Sequence, residues 1–231
     1  YALRIGIPIV PHYLSGIILN QGDRIMIDKM VGKTEVALYG LAYSIGMLVQ
    51  LFISGMNSAL TPWMYSKIKK GDIRSMRKVL QLLSIVVVGI AVALMLISPE
   101  LVLIFGSPKY REAVYVIPPV AASVFFIFIY NILSMPQFYY EKTQFLMAAS
   151  MAAAGANVVL NFIFIRLFGY IAAGYTTLAC YMLYSVGHYI VSKQILVNEG
   201  IQENLMSPGF LVACSVFLIG ASIICNLIFP Y

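Results

Sequence analysis

Asn20-Gln21-Gly22-Asp23-Arg24-Ile25-Met26-Ile27-Asp28 sets an Asp-Arg pair and a further Asp inside an apolar run that extends from about Ile5 to Val31. A run of that length is long enough to cross a bilayer as a helix. Each ionised group well inside such a span costs at least about 3 kcal/mol on insertion scales. The charges therefore need a partner or a ligand, and the rest of the chain is read for one.

Of the 231 residues, 61% are hydrophobic and 10% charged, with a mean hydropathy of +0.89. Soluble domains average roughly 45–50% apolar and 25% charged residues, so the composition specifies a membrane protein. The formal net charge of +6 does not call for a nucleic-acid partner, because its main cluster sits in one short loop where the positive-inside rule accounts for it. Cys180, Cys214 and Cys225 all lie in apolar segments. Cys214 and Cys225 are about 16 Å apart along one helix, too far to pair. No Cys-x-x-Cys or Cys/His spacing is present, so neither a metal nor a cofactor is expected.

Seven apolar segments reach spanning length: Ile5 to Val31, Val36 to Leu60, Val79 to Ile97, Ala113 to Tyr139, Phe145 to Phe168, Ile171 to Val191 and Pro208 to Phe229. The expected fold is all-α, a polytopic transmembrane helix bundle of about seven spans. Residues 1–192 would form a six-helix bundle, and residues 193–231 a cytoplasmic loop with one additional helix. The chain starts at Tyr1 without a basic region, short apolar core and small-residue cleavage site. With the odd number of spans, this leads to the expectation of a fragment of a longer chain.

Orientation follows from Lys and Arg. The loop from Lys67 to Lys78 carries six of them, which puts it in the cytoplasm together with Arg4 and the loops around Lys142 and Lys193. All connections are short, so any chemistry resides in the helices and their ends.

Asn20, Asp23 and Arg24 recur at i, i+3 and i+4, and Asp28 follows four residues after Arg24. They make a polar ladder on the first span. Two readings stand: Arg24 is neutralised by Asp23 or Asp28 and pins the first helix in the bundle, or it points into a wet cavity and meets an anion. In the second span Tyr43, Met47, Gln50, Ser54, Asn57 and Thr61 step by 4, 3, 4, 3 and 4, one helical face that either packs or lines a cavity. Prolines at 8, 11, 118, 119 and 136 mark bends. The fifth span, rich in Ala with Gly155, is a close-packing helix bearing Asn157 and Asn161. The sixth carries Thr177, Tyr181, Tyr184 and His188 on one face, with His188, at the cytoplasmic end, read as a hydrogen-bonded interface residue rather than a proton relay. The seventh is polar-poor and peripheral.

Asp23-Arg24-Ile25-Met26-Ile27, then Val36 to Ile45 with its two tyrosines, then Leu60-Thr61-Pro62-Trp63-Met64-Tyr65 and the basic Lys-Lys-Gly-Asp loop resemble the C-terminal half of Wzx-type polysaccharide flippases. These belong to the multidrug/oligosaccharidyl-lipid/polysaccharide exporter superfamily. The resemblance implies two six-helix bundles about a central cavity in the bacterial inner membrane, of which this chain holds the second plus one helix. It also implies transport of an undecaprenyl-diphosphate-linked oligosaccharide, with no enzymatic step. Its partners would be that lipid-linked oligosaccharide, membrane lipids, an N-terminal bundle of the same protein, and a polysaccharide polymerase and chain-length regulator. In that frame Arg24 pairs with the diphosphate, and Asp23 or Asp28 neutralises it when the cavity is empty. Arg4 receives the headgroup at the cytoplasmic mouth, and Asn20, Tyr43, Gln50 and Asn57 complete the substrate site. A cation-coupled multidrug antiporter using Asp23 or Asp28, or a noncatalytic membrane scaffold, are the alternatives.

Overall fold

The structure, a computed structural model, describes residues 2–229 and, within them, the side chains except those of residues 2–6, 8 and 9. Among the described residues there are helices and no strand: α1 (Ala2–Met30), α2 (Lys33–Gly46), α3 (Leu48–Lys69), α4 (Ile73–Leu96), α5 (Ser98–Phe105), a 3₁₀ stretch (Pro108–Tyr115), α6 (Ile117–Tyr139), α7 (Thr143–Phe168), α8 (Ile171–Asn198) and α9 (Pro208–Ile228). This is the expected polytopic helix bundle.

Five stretches are long and apolar enough to cross a membrane by length and composition: Lys33–Lys69, Ile73–Leu96, Ile117–Tyr139, Thr143–Phe168 and Pro208–Ile228. Two further long helices, α1 and α8, run beside them and complete the seven expected segments; both carry more polar groups. Pro8 and Pro11 do not interrupt α1.

α6 is the central post. Its apolar face extends all round, with Phe125, Phe128, Ile117 and Val124 fully buried, and α2, α3, α4, α8 and α9 pack against it. Lipid is as apolar as these side chains, so close van der Waals fit rather than escape from water holds the helices together. Glycine supplies that fit at Gly46, where an added Cβ would sit 2.7 Å from Val120 Cγ1 of α6. α7 lies against α1 and α8 through the small residues Ser150, Ala153 and Ala154, all buried.

The second segment is not one helix. It breaks at Met47, which separates α2 from α3 with φ −87° and ψ 1°, so the continuous polar face expected from Tyr43 to Thr61 is split between two environments. The apolar stretch after Pro99 folds as α5, with Val102 buried and Ile104 and Phe105 exposed. Two ends emerge from the packing. At one end the basic turn meets the connection before α9, through Arg77 Nε donating to Asn204 O at 2.7 Å. At the other, Asn226 Nδ2 of α9 donates to Tyr115 O at 3.0 Å and the Tyr170 hydroxyl faces Glu112.

Candidate substrate site

The ladder on α1 divides by angle. Consecutive helical residues are about 100° apart, and Asp23 and Arg24 consequently enter different surroundings. Asp23 is fully buried. Its Oδ2 accepts from Tyr39 Oη of α2 at 2.6 Å and from Thr177 Oγ1 of α8 at 2.7 Å, and its Oδ1 accepts from Asn161 Nδ2 of α7 at 2.5 Å. Asn161 also donates to Asn157 Oδ1 at 3.1 Å and accepts from Thr176 Oγ1. One carboxylate thus ties four helices together with neutral donors alone, which is how a buried charge is tolerated where no cation is supplied.

Arg24, one residue on, meets different neighbours. Its Nη1 donates to Gln21 Oε1 at 3.0 Å and its guanidinium carbon lies 5.0 Å from the Tyr43 ring centroid. Nε is buried without a partner. The ion pair expected with Asp23 or Asp28 is not formed: Lys67–Asp72 at 2.6 Å is the salt bridge found among the described residues. Asp28 is exposed near the end of α1.

Arg24 lines a partly enclosed cavity of about 770 Å³ between α1, α2, α6 and α8. Its α1 wall runs from His12 to Arg24, about 18 Å of helix. Asn20 and Tyr43 also line it. Tyr43 Oη donates to Asn20 Oδ1 at 2.9 Å, and Tyr181 Oη to the same oxygen at 3.4 Å. The opposite wall is aromatic: Tyr130 of α6 stacks on Tyr181 with ring centroids 6.2 Å apart and meets Tyr184 in a tilted contact at 4.6 Å. Tyr184 Oη lies 3.2 Å from His12 Nδ1, and behind it His188, fully buried, accepts at Nδ1 from Gln137 Nε2 over 2.7 Å.

Of the residues expected at the site, Asn20, Arg24 and Tyr43 line this cavity. Asp23 stands behind it, and Asp28 lies apart. Gln50 and Asn57 belong to α3 beyond the Met47 break and do not line it; their side-chain oxygens are buried without a partner. The Arg4 side chain lies outside the described residues. The aromatic wall of Tyr130, Tyr181 and Tyr184 is an addition to the expected site, although Tyr181 and Tyr184 stand on the polar face of the sixth segment.

With this arrangement in view, comparison with known proteins places the chain. The MatE family matches residues 8–163, which include most of α1, all of α2 to α6 and most of α7. The chain belongs to the MatE family. It is thus a multi-pass membrane protein of a transporter family within the exporter superfamily. Two relatives from Haemophilus influenzae (strain ATCC 51907 / DSM 11121 / KW20 / Rd) are similar to it. "Lsg locus putative protein 1" is 29% identical over 159 residues, 65% of this chain and 38% of the relative. "Uncharacterized membrane protein" is 30% identical over 152 residues, 62% of this chain and 36% of the relative. The chain therefore spans less than two-fifths of the length of the curated relatives it matches. No solved structure matches it.

Proposed function

We propose that this MatE chain contributes one wall of a pathway that moves an undecaprenyl-diphosphate-linked oligosaccharide across the bacterial inner membrane, from the cytoplasmic to the periplasmic leaflet. The observation that carries the reading is Arg24: a guanidinium in a membrane-embedded cavity with no carboxylate partner among the described residues and its Nε left without an acceptor there. A planar, permanently charged fork suits a diphosphate. Uncompensated charge is expensive at this depth, and an anionic substrate would relieve that cost while gaining charge-assisted hydrogen bonds. Tyr43, Tyr130, Tyr181 and Tyr184 offer broad faces with hydroxyl tips, an amphipathic lining of the sort that takes both the apolar and the polar side of a sugar ring.

A cation-coupled multidrug antiporter is the second reading, and Asp23 favours it as a buried carboxylate bonded only to neutral donors. Against it, the acidic group stands behind the cavity and a cation faces into it, so a cationic drug would meet like charge. Export of surface glycan and resistance to cationic drugs, measured in parallel in cells that depend on the gene for this chain, separate the two. Loss of glycan export with Arg24→Ala at normal protein level supports the first reading. Unchanged export with both Arg24→Ala and Arg24→Lys sinks it.

A further inference from the structure

The cavity that holds Arg24 is lined by one other side chain able to carry positive charge, His12, and among the described residues no carboxylate lines it. His12 stands about 18 Å from Arg24 along α1. Its Nδ1 is 3.2 Å from Tyr184 Oη. The side chain is half-buried, and Nε2 makes no hydrogen bond among the described residues while keeping exposed surface. A hydroxyl both donates and accepts. Tyr184 can therefore donate to Nδ1 of the neutral ring or accept from Nδ1–H of the charged one, and the contact survives protonation of His12. His188 has no such freedom: it is fully buried, with Nδ1 against the Gln137 amide and Nε2 buried without an acceptor. The titratable groups facing His12 are Tyr184 and, behind it, His188 from α8, Tyr130 from the α6 wall and Tyr13 from its own helix. α7, which packs along α1, carries none between Lys142 and Arg166. No group in this set is an acid that would balance a charged imidazole.

We infer that His12 is a second oxyanion contact of this cavity, offering Nε2–H and taking up a proton as the anion arrives. The inference rests on the proposed pathway for a diphosphate-linked glycan and adds a pH-dependent station to it. Two arguments choose an oxyanion. A lining with basic groups and no acid gives a negative group favourable charge at either end. An imidazolium with no negative neighbour is costly at membrane depth, whereas an oxyanion beside Nε2 favours the charged ring. The separation of about 18 Å from Arg24 exceeds the length of a diphosphate, so one diphosphate cannot touch both. The oxyanion at His12 is then a carboxylate of the glycan while the diphosphate rests on Arg24, or the diphosphate itself at another stage of its passage.

The test is the affinity of the purified protein for two isoprenoid-diphosphate lipids, one bearing a neutral disaccharide and one a disaccharide with a uronic acid, at about pH 6 and about pH 8, the interval in which histidine changes charge. Both lipids keep their charge across that interval, so a pH response belongs to the protein. The native chain is expected to bind at least about fivefold more tightly at the lower pH, in keeping with one charge-assisted hydrogen bond. His12→Gln keeps the weaker affinity at both values, and His12→Lys, permanently charged, binds tightly at both. A gain confined to the uronate lipid assigns the contact to the glycan; a gain with both assigns it to the diphosphate. The native chain's own response decides the matter even where a variant folds poorly. No pH response with either lipid, or a response that persists in His12→Gln, overturns the proposal. Failure of the pathway reading looks different: neither lipid binds, or Arg24→Ala leaves both affinities unchanged, and the inference falls with it.

Discussion

Asp23 and Arg24 are neighbours in the chain and strangers in the fold. The carboxylate is bonded to Tyr39, Asn161 and Thr177, while the guanidinium rests on Gln21 and the face of Tyr43 in the cavity. Their substitutions should separate accordingly. Asp23→Ala strands three donors in a water-poor interior and is expected to cost about 3 kcal/mol or more of stability. Arg24→Ala, which frees no buried partner, is expected to leave the thermal midpoint nearly unchanged. Unfolding followed by circular dichroism in detergent checks both, and equal losses would show that Arg24 is structural.

The break between α2 and α3 gives a second prediction. Alanine for a mid-helix glycine usually gains up to about 1 kcal/mol, and Gly89→Ala on α4, with nothing within 4 Å of the added Cβ, should do so. Gly46→Ala should do the reverse. Its Cβ would meet Val120 Cγ1 at 2.7 Å and Val120 Cβ at 2.9 Å, forcing α2 from α6 at a cost of about 1–3 kcal/mol. Thermal midpoints of the two variants moving in the same direction would contradict the packing described.

A pH effect is expected at the basic turn. Asp72 receives Lys67 Nζ at 2.6 Å and accepts from the Ser75 amide at the start of α4. The Lys67 hydrogen bond first, and the Ser75 bond with it, hold its carboxyl below the ordinary value of 3.8. The contribution is therefore fully present above pH 3.8 and is lost as pH falls through the lower folded value. The difference in thermal midpoint between the native chain and Asp72→Asn should be constant near neutrality and shrink in acid. A difference that grows on acidification would show the sign to be wrong.

Much of the fold is legible in the sequence because spanning helices announce themselves by length and hydropathy alone: six of the seven segments map to one long helix each and the second to the α2–α3 pair. Angular relations between helices are less accessible. Spacings along α1 put Asp23, Arg24 and Asp28 on one ladder, but a step of one residue turns a side chain by about 100°, enough to send Asp23 to α7 and α8. Its partners Asn161 and Thr177 lie 138 and 154 residues away, and no periodicity says which stripes meet. The even stripe of Tyr43, Gln50 and Asn57 hides the Met47 break because no proline marks it. The close approach of Gly46 to Val120 accompanies that break, and such a contact is visible only once α6 is in place.

The aromatic wall makes its own prediction. Tyr130 packs against both Tyr181 and Tyr184, so Tyr130→Ala opens the cavity and removes one of the ring faces proposed for sugar contact. Tyr130→Phe keeps the stacking and loses only the hydroxyl. Binding of a neutral oligosaccharide should fall severalfold with the first and little with the second, in line with about 0.5–1.5 kcal/mol per aromatic contact. Equal effects would shift the role from the ring to the hydroxyl.

The most direct measurement is the affinity of the purified protein for an isoprenoid-diphosphate-linked disaccharide, taken at low and high salt for the native chain, Arg24→Lys and Arg24→Ala. The account predicts that Arg24→Ala weakens binding at least about tenfold, equivalent to about 1.4 kcal/mol, and flattens its salt dependence, with Arg24→Lys between the two. Three equal affinities with the same salt dependence would contradict it.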